Sequence, residues 1–344
     1  MKKHLIIALA GFLTLNAYSQ SGKTPYMTKT FANESIKDVD SRTQGGSIDV
    51  AGVSASEARV EVYITGNNWK DHLSKEEIQE RLTADYDLEV SLSGGKVVAR
   101  ARTKHDNMNW KKSLSISFKI FVPVNSSTDL STSGGSITLN NLSGTEQFRT
   151  SGGSLNVTKV SGRIDGQTSG GSITVEDSKD DIDLETSGGS IDATNCTGKI
   201  KLNTSGGSLT LKDLKGTVRA TTSGGSVDGA RVDGELYAHT SGGSVTLRDL
   251  TCSLEASTSG GGMDVEIKEL RSYVKLHNSS GHIHLELPAN KGVDLKLYGD
   301  KIKTSTLTAF SGSVEEHSVD GKLNGGGVPV TADAGSGHVN VTFR

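Results

Sequence analysis

Thr186-Ser187-Gly188-Gly189-Ser190-Ile191-Asp192-Ala193-Thr194-Asn195-Cys196-Thr197-Gly198, followed by Lys199-Ile200-Lys201-Leu202-Asn203, reads as one turn of a repeating structure. Its Ser-Gly-Gly triplet starts at Ser133, Ser151, Ser169, Ser187, Ser205, Ser223, Ser241 and Ser259, each 18 residues after the last. Such unbroken register means that one supersecondary unit is stacked on itself, because an insertion of the kind a loop tolerates would spoil the spacing. Within the unit, two short strands alternate. One inward column holds Ile137, Leu155, Ile173, Ile191, Leu209, Val227, Val245 and Met263, and a second, two residues on, runs from Leu139 through Val175 and Ala193 to Val265. A third runs Leu142, Val160, Ser178, Cys196, Leu214, Val232 and Leu250, and a fourth Ile164, Ile182, Ile200, Val218, Leu236 and Leu254. Period two puts the first two columns on one face, and the four together enclose a thin core.

A return every 18 residues suits a coil stacked about 4.8 Å above its predecessor by ladder hydrogen bonds. The expected fold class is all-β, a parallel β-helix (solenoid) with 18-residue coils, right-handed by the preference of parallel crossovers. Composition agrees: 42 Gly, 5% aromatic and 33% hydrophobic residues exclude one thick core, while the spaced apolar positions exclude disorder. The formal charge is −3, with Lys and Arg spread along the chain, so nucleic acid is not an expected partner.

Residues 1–19 read as a signal peptide, with the basic start Met1-Lys2-Lys3-His4, an apolar run Leu5 to Leu15 and the small residues Ala17-Tyr18-Ser19 before a cut. That run is shorter than the roughly 20 residues a bilayer span takes. The expectation is an exported protein, periplasmic or at the cell surface, with no transmembrane anchor after cleavage. Residues 20–132 hold a first coil, Gln44 to Val50, and an N-terminal cap with strands near Ala58–Ile64, Asp87–Leu92, Lys96–Arg102 and Ser113–Val122. In the cap, Ser74-Lys75-Glu76-Glu77 is a capping box that opens a short helix through about Ala84. Regular repeats fill 133–287, with a two-residue slip that sets Val274 and Leu276 20 residues after Leu254 and Ala256. In 288–344, Ser311-Gly312-Ser313-Val314 and Gly335 to Val341 resemble coils that close the far end. Caps are expected because an open sheet edge is a template for pairing.

Several residues are candidates for chemistry. Cys196 and Cys252 lie three coils apart, roughly 14 Å at the usual strand spacing, too far for a disulfide, so two free thiols are expected. The Thr-Ser-Gly-Gly-Ser corner is expected to be structural, with Gly supplying backbone angles that side chains resist and the hydroxyls bonding one another and the turn amides. Its alternative role is a hydroxyl-rich ridge for a glycan, with repetition supplying avidity. An outward column reads Asp129, Gln147, Asp165, Asp183, Lys201, Arg219, Tyr237, Glu255 and Tyr273. There Asp165 and Asp183, stacked about 5 Å apart, match the spacing of a retaining glycosidase pair, against the simpler reading of a charge ladder. His282, His284 and Glu286 alternate on one strand face and carry zinc-type donor atoms, although solvated positions are the ordinary state of such residues. No cofactor is expected: the glycines belong to corners, and the Ser after each Gly pair departs from calcium-binding nonapeptides.

With these residues in view, the chain resembles a bacterial family of exported β-strand-repeat proteins of unknown function, commonly labelled adhesins. Ser74 to Tyr86, Phe121-Val122-Pro123-Val124-Asn125 leading into Ser133-Gly134-Gly135-Ser136-Ile137, and Gly321 to Val330 carry the likeness. It departs at His282 and His338, where the family often has Asp. What the resemblance implies is a β-solenoid with a surface-binding role and no active site to carry over. The expected function is an exported module that binds a glycan or cell-surface ligand through an outward ladder such as Thr174, Asp192 and Thr210, without catalysis. An envelope scaffold or signalling-associated protein is the first alternative, and a carbohydrate-active enzyme using the stacked carboxylates the second.

Overall fold

The computed structural model describes residues 24–67, 73–105 and 113–344, so the expected signal peptide lies outside the described residues. All the described strands join one largely parallel sheet that winds into stacked coils. Leu155 pairs with Ile173, Ile173 with Ile191 and Ile191 with Leu209, each partner 18 residues on. On the second side Ile164, Ile182, Ile200 and Val218 pair in the same step. The slip is also present, since Leu254 pairs with Val274 and Met263 with Ile283. All four apolar columns are buried. Ser178 keeps its place among them because its hydroxyl donates to the Glu176 carbonyl (2.8 Å) and accepts from the Val160 amide (3.2 Å).

A fifth inward column accompanies these four: Phe148, Leu184, Leu202, Ala220, Ala238, Ala256 and Leu276 are buried two residues after the fourth. Gly166 belongs to it, and a Cβ there would lie 2.4 Å from the Phe148 ring. The large ring therefore occupies the room of two coils, which is how the column stays close-packed despite uneven residues.

The corners differ from expectation. Neither glycine of the Ser-Gly-Gly triplet has a positive φ. The second is required for proximity instead: a Cβ on Gly189 would lie 2.1 Å from the carbonyl oxygen of Gly171 in the coil before, whereas one on Gly188 would meet its nearest atom at 3.5 Å. The left-handed corner lies elsewhere, at Asn141, Lys159, Asp177, Asn195, Asp213, Arg231 and Asp249, all with φ between 52° and 56°. Asn and Asp tolerate that region best, which explains their recurrence just before the third apolar column.

The ends are more interwoven than the sequence order suggests. The first coil, Ile48–Val53, pairs with Ile137–Asn140 on one side and with Leu114–Pro123 on the other, so the cap lies beyond the first coil and the repeats follow it directly. Within the cap, Tyr86–Ser93 pairs antiparallel with Lys96–Thr103, and Arg59–Gly66 with Leu114–Pro123. The helix is Lys75–Asp85, with both halves of the Ser74–Glu77 capping box formed. At the other end the chain doubles back. His338–Phe343 stacks on Ile283–Leu287 and is itself followed by Lys301–Thr304, so the last strand in sequence lies inside the one that precedes it. Phe310–Val314 is not a coil: it pairs antiparallel with Ser318–Leu323, which pairs antiparallel with Val293–Tyr298 and covers its outer edge. An edge left open would template further pairing, and the antiparallel hairpin removes that hazard.

One carboxyl lies in the core. Glu146 pairs in register with Thr128 and Ile164 and is fully buried; Thr128 donates to its Oε2 at 2.6 Å, while Oε1 has no partner among the described residues. Burial pushes its pKa up to about 7, against a partial opposing effect of the Thr128 hydrogen bond.

Two predictions follow from this packing. Gly189→Ala should cost several kcal/mol, because backbone must move, and Gly188→Ala less than about 1 kcal/mol; chemical denaturation of the two variants checks the contrast. For Glu146, folded and unfolded states are both protonated below the ordinary carboxyl pKa near 4.5, so no penalty exists there. The penalty builds as pH rises from that value through about 7 and is complete above it. Glu146→Gln should therefore raise stability at pH 8 by about 1–3 kcal/mol and flatten the pH dependence, with little change at pH 4; denaturation midpoints at the two pH values measure it.

Candidate functional site

The hydroxyls of the repeat divide into two populations. Corner threonines are buried and fully engaged. Thr150, Thr168, Thr186 and Thr222 each donate at 2.8 Å to the second glycine's carbonyl in the coil before and accept from the amide of the second glycine in their own corner, at 3.3 Å. At the irregular coil Asn278 does the same work, donating to Gly261 at 2.8 Å and accepting from the Gly281 amide at 2.9 Å. The serine that follows the glycines forms a second ladder, in which Ser190 Oγ accepts from the Ser208 amide and Ser208 Oγ from the Ser226 amide, both at 3.2 Å. These corner hydroxyls hold coil to coil.

The carboxylate pair lies on a different side. Asp165 and Asp183 are register partners and half-buried. Lys201 bonds Asp183 at 2.9 Å, and the Arg219 guanidinium lies 3.9 Å over the Tyr237 ring. The column continues through Glu255 to Lys275, with Tyr273 outside it: the slip makes Lys275 the partner of Glu255, and Tyr273 donates instead to Glu235 at 2.8 Å. Alternating partners along a strand ladder are a charge and cation–π stack. Both cysteines are free and buried, and burial pushes the Cys252 thiol up to about 12, so neither is a ready nucleophile.

The outward ladder carries unengaged polar groups. Thr174, Asp192 and Thr210 are consecutive register partners on the face formed by the first strand of each coil. Asp192 and Thr210 are exposed and Thr174 half-buried, and none of the three has a side-chain partner among the described residues. Through Thr246, Asp264, His284 and Asn340 the same column reaches Lys303.

At that end the face is concave, forming a groove of about 620 Å³ lined by His282, His284, His338, Asn340, Lys301 and Lys303, with Gly262 in its floor. The imidazoles of His282 and His338 stack with ring centroids 4.8 Å apart and planes 12° from parallel. His282 Nδ1 accepts from the His338 amide at 3.2 Å, and His284 Nδ1 meets Asn340 Nδ2 at 3.2 Å. Glu286, the third of the alternating trio, is held by Arg344. The trio thus splits, two histidines lining the groove and the carboxylate engaged by the C-terminal residue. No metal-ligating cluster occurs among the described residues. Sequence reading missed Lys301, Lys303, His338 and Asn340 as partners of His282 and His284; their register separations from that strand bear no relation to the repeat, so only the doubled-back coil brings them together.

Residues 173–342 match the family model described as Toastrack DUF4097, so the family resemblance read from the sequence holds across the later repeats and the C-terminal coils. A solved structure described as "a putative cell adhesion protein from Clostridium sporogenes" aligns over 92% of this chain and 98% of its own, at 11% identity and a TM-score of 0.19, a score too low to bear on fold or function. No curated protein matches the chain. Among the described residues no helix is long and apolar enough to cross a membrane.

Thr204→Val keeps the corner's shape but leaves the Gly189 carbonyl and the Gly207 amide without their hydroxyl. It should cost about 1–3 kcal/mol by denaturant titration, whereas Thr210→Val, one coil position away on the outer face, should change stability by less than about 0.5 kcal/mol.

Proposed function

We propose that this chain is an exported binding module that holds a glycan or cell-surface ligand along the outward face of its solenoid. One observation carries the reading. Corner hydroxyls such as Thr150, Thr168, Thr186 and Thr222 are engaged in coil-to-coil bonds, while Thr174, Asp192 and Thr210, on the outer face of the same coils, have no protein partner among the described residues.

The coils space those outward groups about 4.8 Å apart on a backbone that is hydrogen-bonded on both sides. Such a comb is pre-organised, so an extended ligand with repeating hydroxyls can meet several groups at once without the cost of ordering a loop. Individual contacts are weak and their number supplies affinity, as expected for adhesion. The Toastrack match supports a solenoid as the carrier of this face. Turnover is no part of the proposal: Asp183 is engaged by Lys201, and neither Asp165 nor Asp183 lines the groove.

The test is binding of the purified chain, residues 20–344, to an array of host and bacterial glycans, with the triple variant Thr174→Ala/Asp192→Ala/Thr210→Ala printed alongside. Reproducible binding to one glycan class should fall at least tenfold in the triple variant, with its melting temperature unchanged. A silent array, or a variant that binds like the parent, would overturn the proposal.

A further inference from the structure

We infer that the groove at the C-terminal end of the outward face is a subsite for an acidic sugar, one that carries a carboxylate or sulfate. The inference rests on the binding face proposed above and specifies what its last coils recognise.

Hydrogen-bond roles in the groove are settled by its own contacts. The His338 amide donates to Nδ1 of His282, and the Asn340 side-chain amide occupies Nδ1 of His284, each at 3.2 Å. A neutral imidazole that accepts at Nδ1 carries its proton on Nε2. Both rings therefore offer a ligand an N–H donor. Lys301 and Lys303, exposed and in line with His338 and Asn340 on the next coil, add two ammonium groups that make no ion pair among the described residues.

The nearby acids do not cancel this. Asp264 is bonded by Arg248 at 2.6 Å, and Glu286 is held by Arg344, which also lies 3.6 Å from Glu266. Asp300 is the remaining acid near the rings, 3.9 Å from His338 Nδ1 at the groove's edge. The result is a concave surface with an excess of donors and of positive charge, the complement of an oxyanion.

Shape favours a sugar unit over a bare ion. The serine ladder that fills this column from Ser136 to Ser244 stops at Gly262, where an added Cβ would meet no atom within 4 Å. That gap deepens the face to about 620 Å³, within the range of pockets that hold small ligands. The flat stacked pair His282–His338 forms one wall, and Thr246 continues the hydroxyl ladder into the other. An acidic residue seated here would extend a chain whose other units lie along the middle of the ladder.

The experiment is calorimetric titration of residues 20–344 with trigalacturonate, a sulfated chondroitin disaccharide and uncharged galactotriose, all in EDTA at low and at physiological salt. The carboxylated and sulfated probes separate the two possible oxyanions. At least one acidic probe should bind at least tenfold more tightly than galactotriose, weaken with salt, and lose tenfold or more in affinity in Lys301→Gln/Lys303→Gln. Both substitutions are at exposed positions, and an unchanged melting temperature establishes that the variant is folded. Acidic probes that bind no better than galactotriose, binding that the double variant leaves intact, or binding that EDTA abolishes would each overturn the inference. Glycan binding that survives Lys301→Gln/Lys303→Gln but fails in the Thr174/Asp192/Thr210 variant would overturn this subsite while leaving the broader proposal standing.

Discussion

The whole molecule depends on one close approach. At the second glycine of each corner, the backbone of a coil lies on the carbonyl of the coil before, so close that a Cβ on Gly153, Gly171 or Gly189 would be only 1.9–2.1 Å from it. Nothing larger than hydrogen fits there. The contact fixes the separation of coils on that side, and the corner threonine then spans it, donating downward and accepting from its own turn. With the spacing set, the inward columns stack at van der Waals distance and the ladder bonds close. Because each coil touches only its neighbours, a fault at one glycine is felt by two interfaces and hardly beyond them.

This arrangement separates structural from available polarity within a sequence that looks uniformly rich in Ser and Thr. Hydroxyls at the corner are buried and doubly engaged, and those in the outer columns face water. Sequence alone cannot assign a given Thr to either population until the register is known, since Thr186 and Thr194 belong to one coil and differ only in which side of the strand they occupy. Once the strand period is fixed, the assignment follows without further information.

Legibility followed locality. The four apolar columns, the slip at Val274, the Ser74 capping box and the two free thiols were readable because each rests on spacing within one or two coils. The corner glycines were readable as essential, but the reason given by composition, unusual backbone angles, belongs to the Asn and Asp column from Asn141 to Asp249. That column could have been found: the same residue types recur every 18 positions, one before the third apolar column. Glu146 was harder, because a carboxyl in a core register position contradicts the pattern and only the coordinates show that Ile164 is its partner.

The groove could not have been read at all from the repeat, and the cause is topological. Its walls come from strands near residues 283, 339 and 302, which stack in that order although the chain visits them in another. Doubling back closes the sheet edge, and it also releases the last coils from the repeat's grammar. In the regular coils, a serine after the glycines is held in place by the amide it bonds in the next coil. Beyond Gly262 that ladder has ended, and the positions it would occupy carry His282, His338 and Lys301. The end of a solenoid is thus where its outer face can vary without disturbing the stacking, and a face that differs chemically from the rest is expected there on physical grounds.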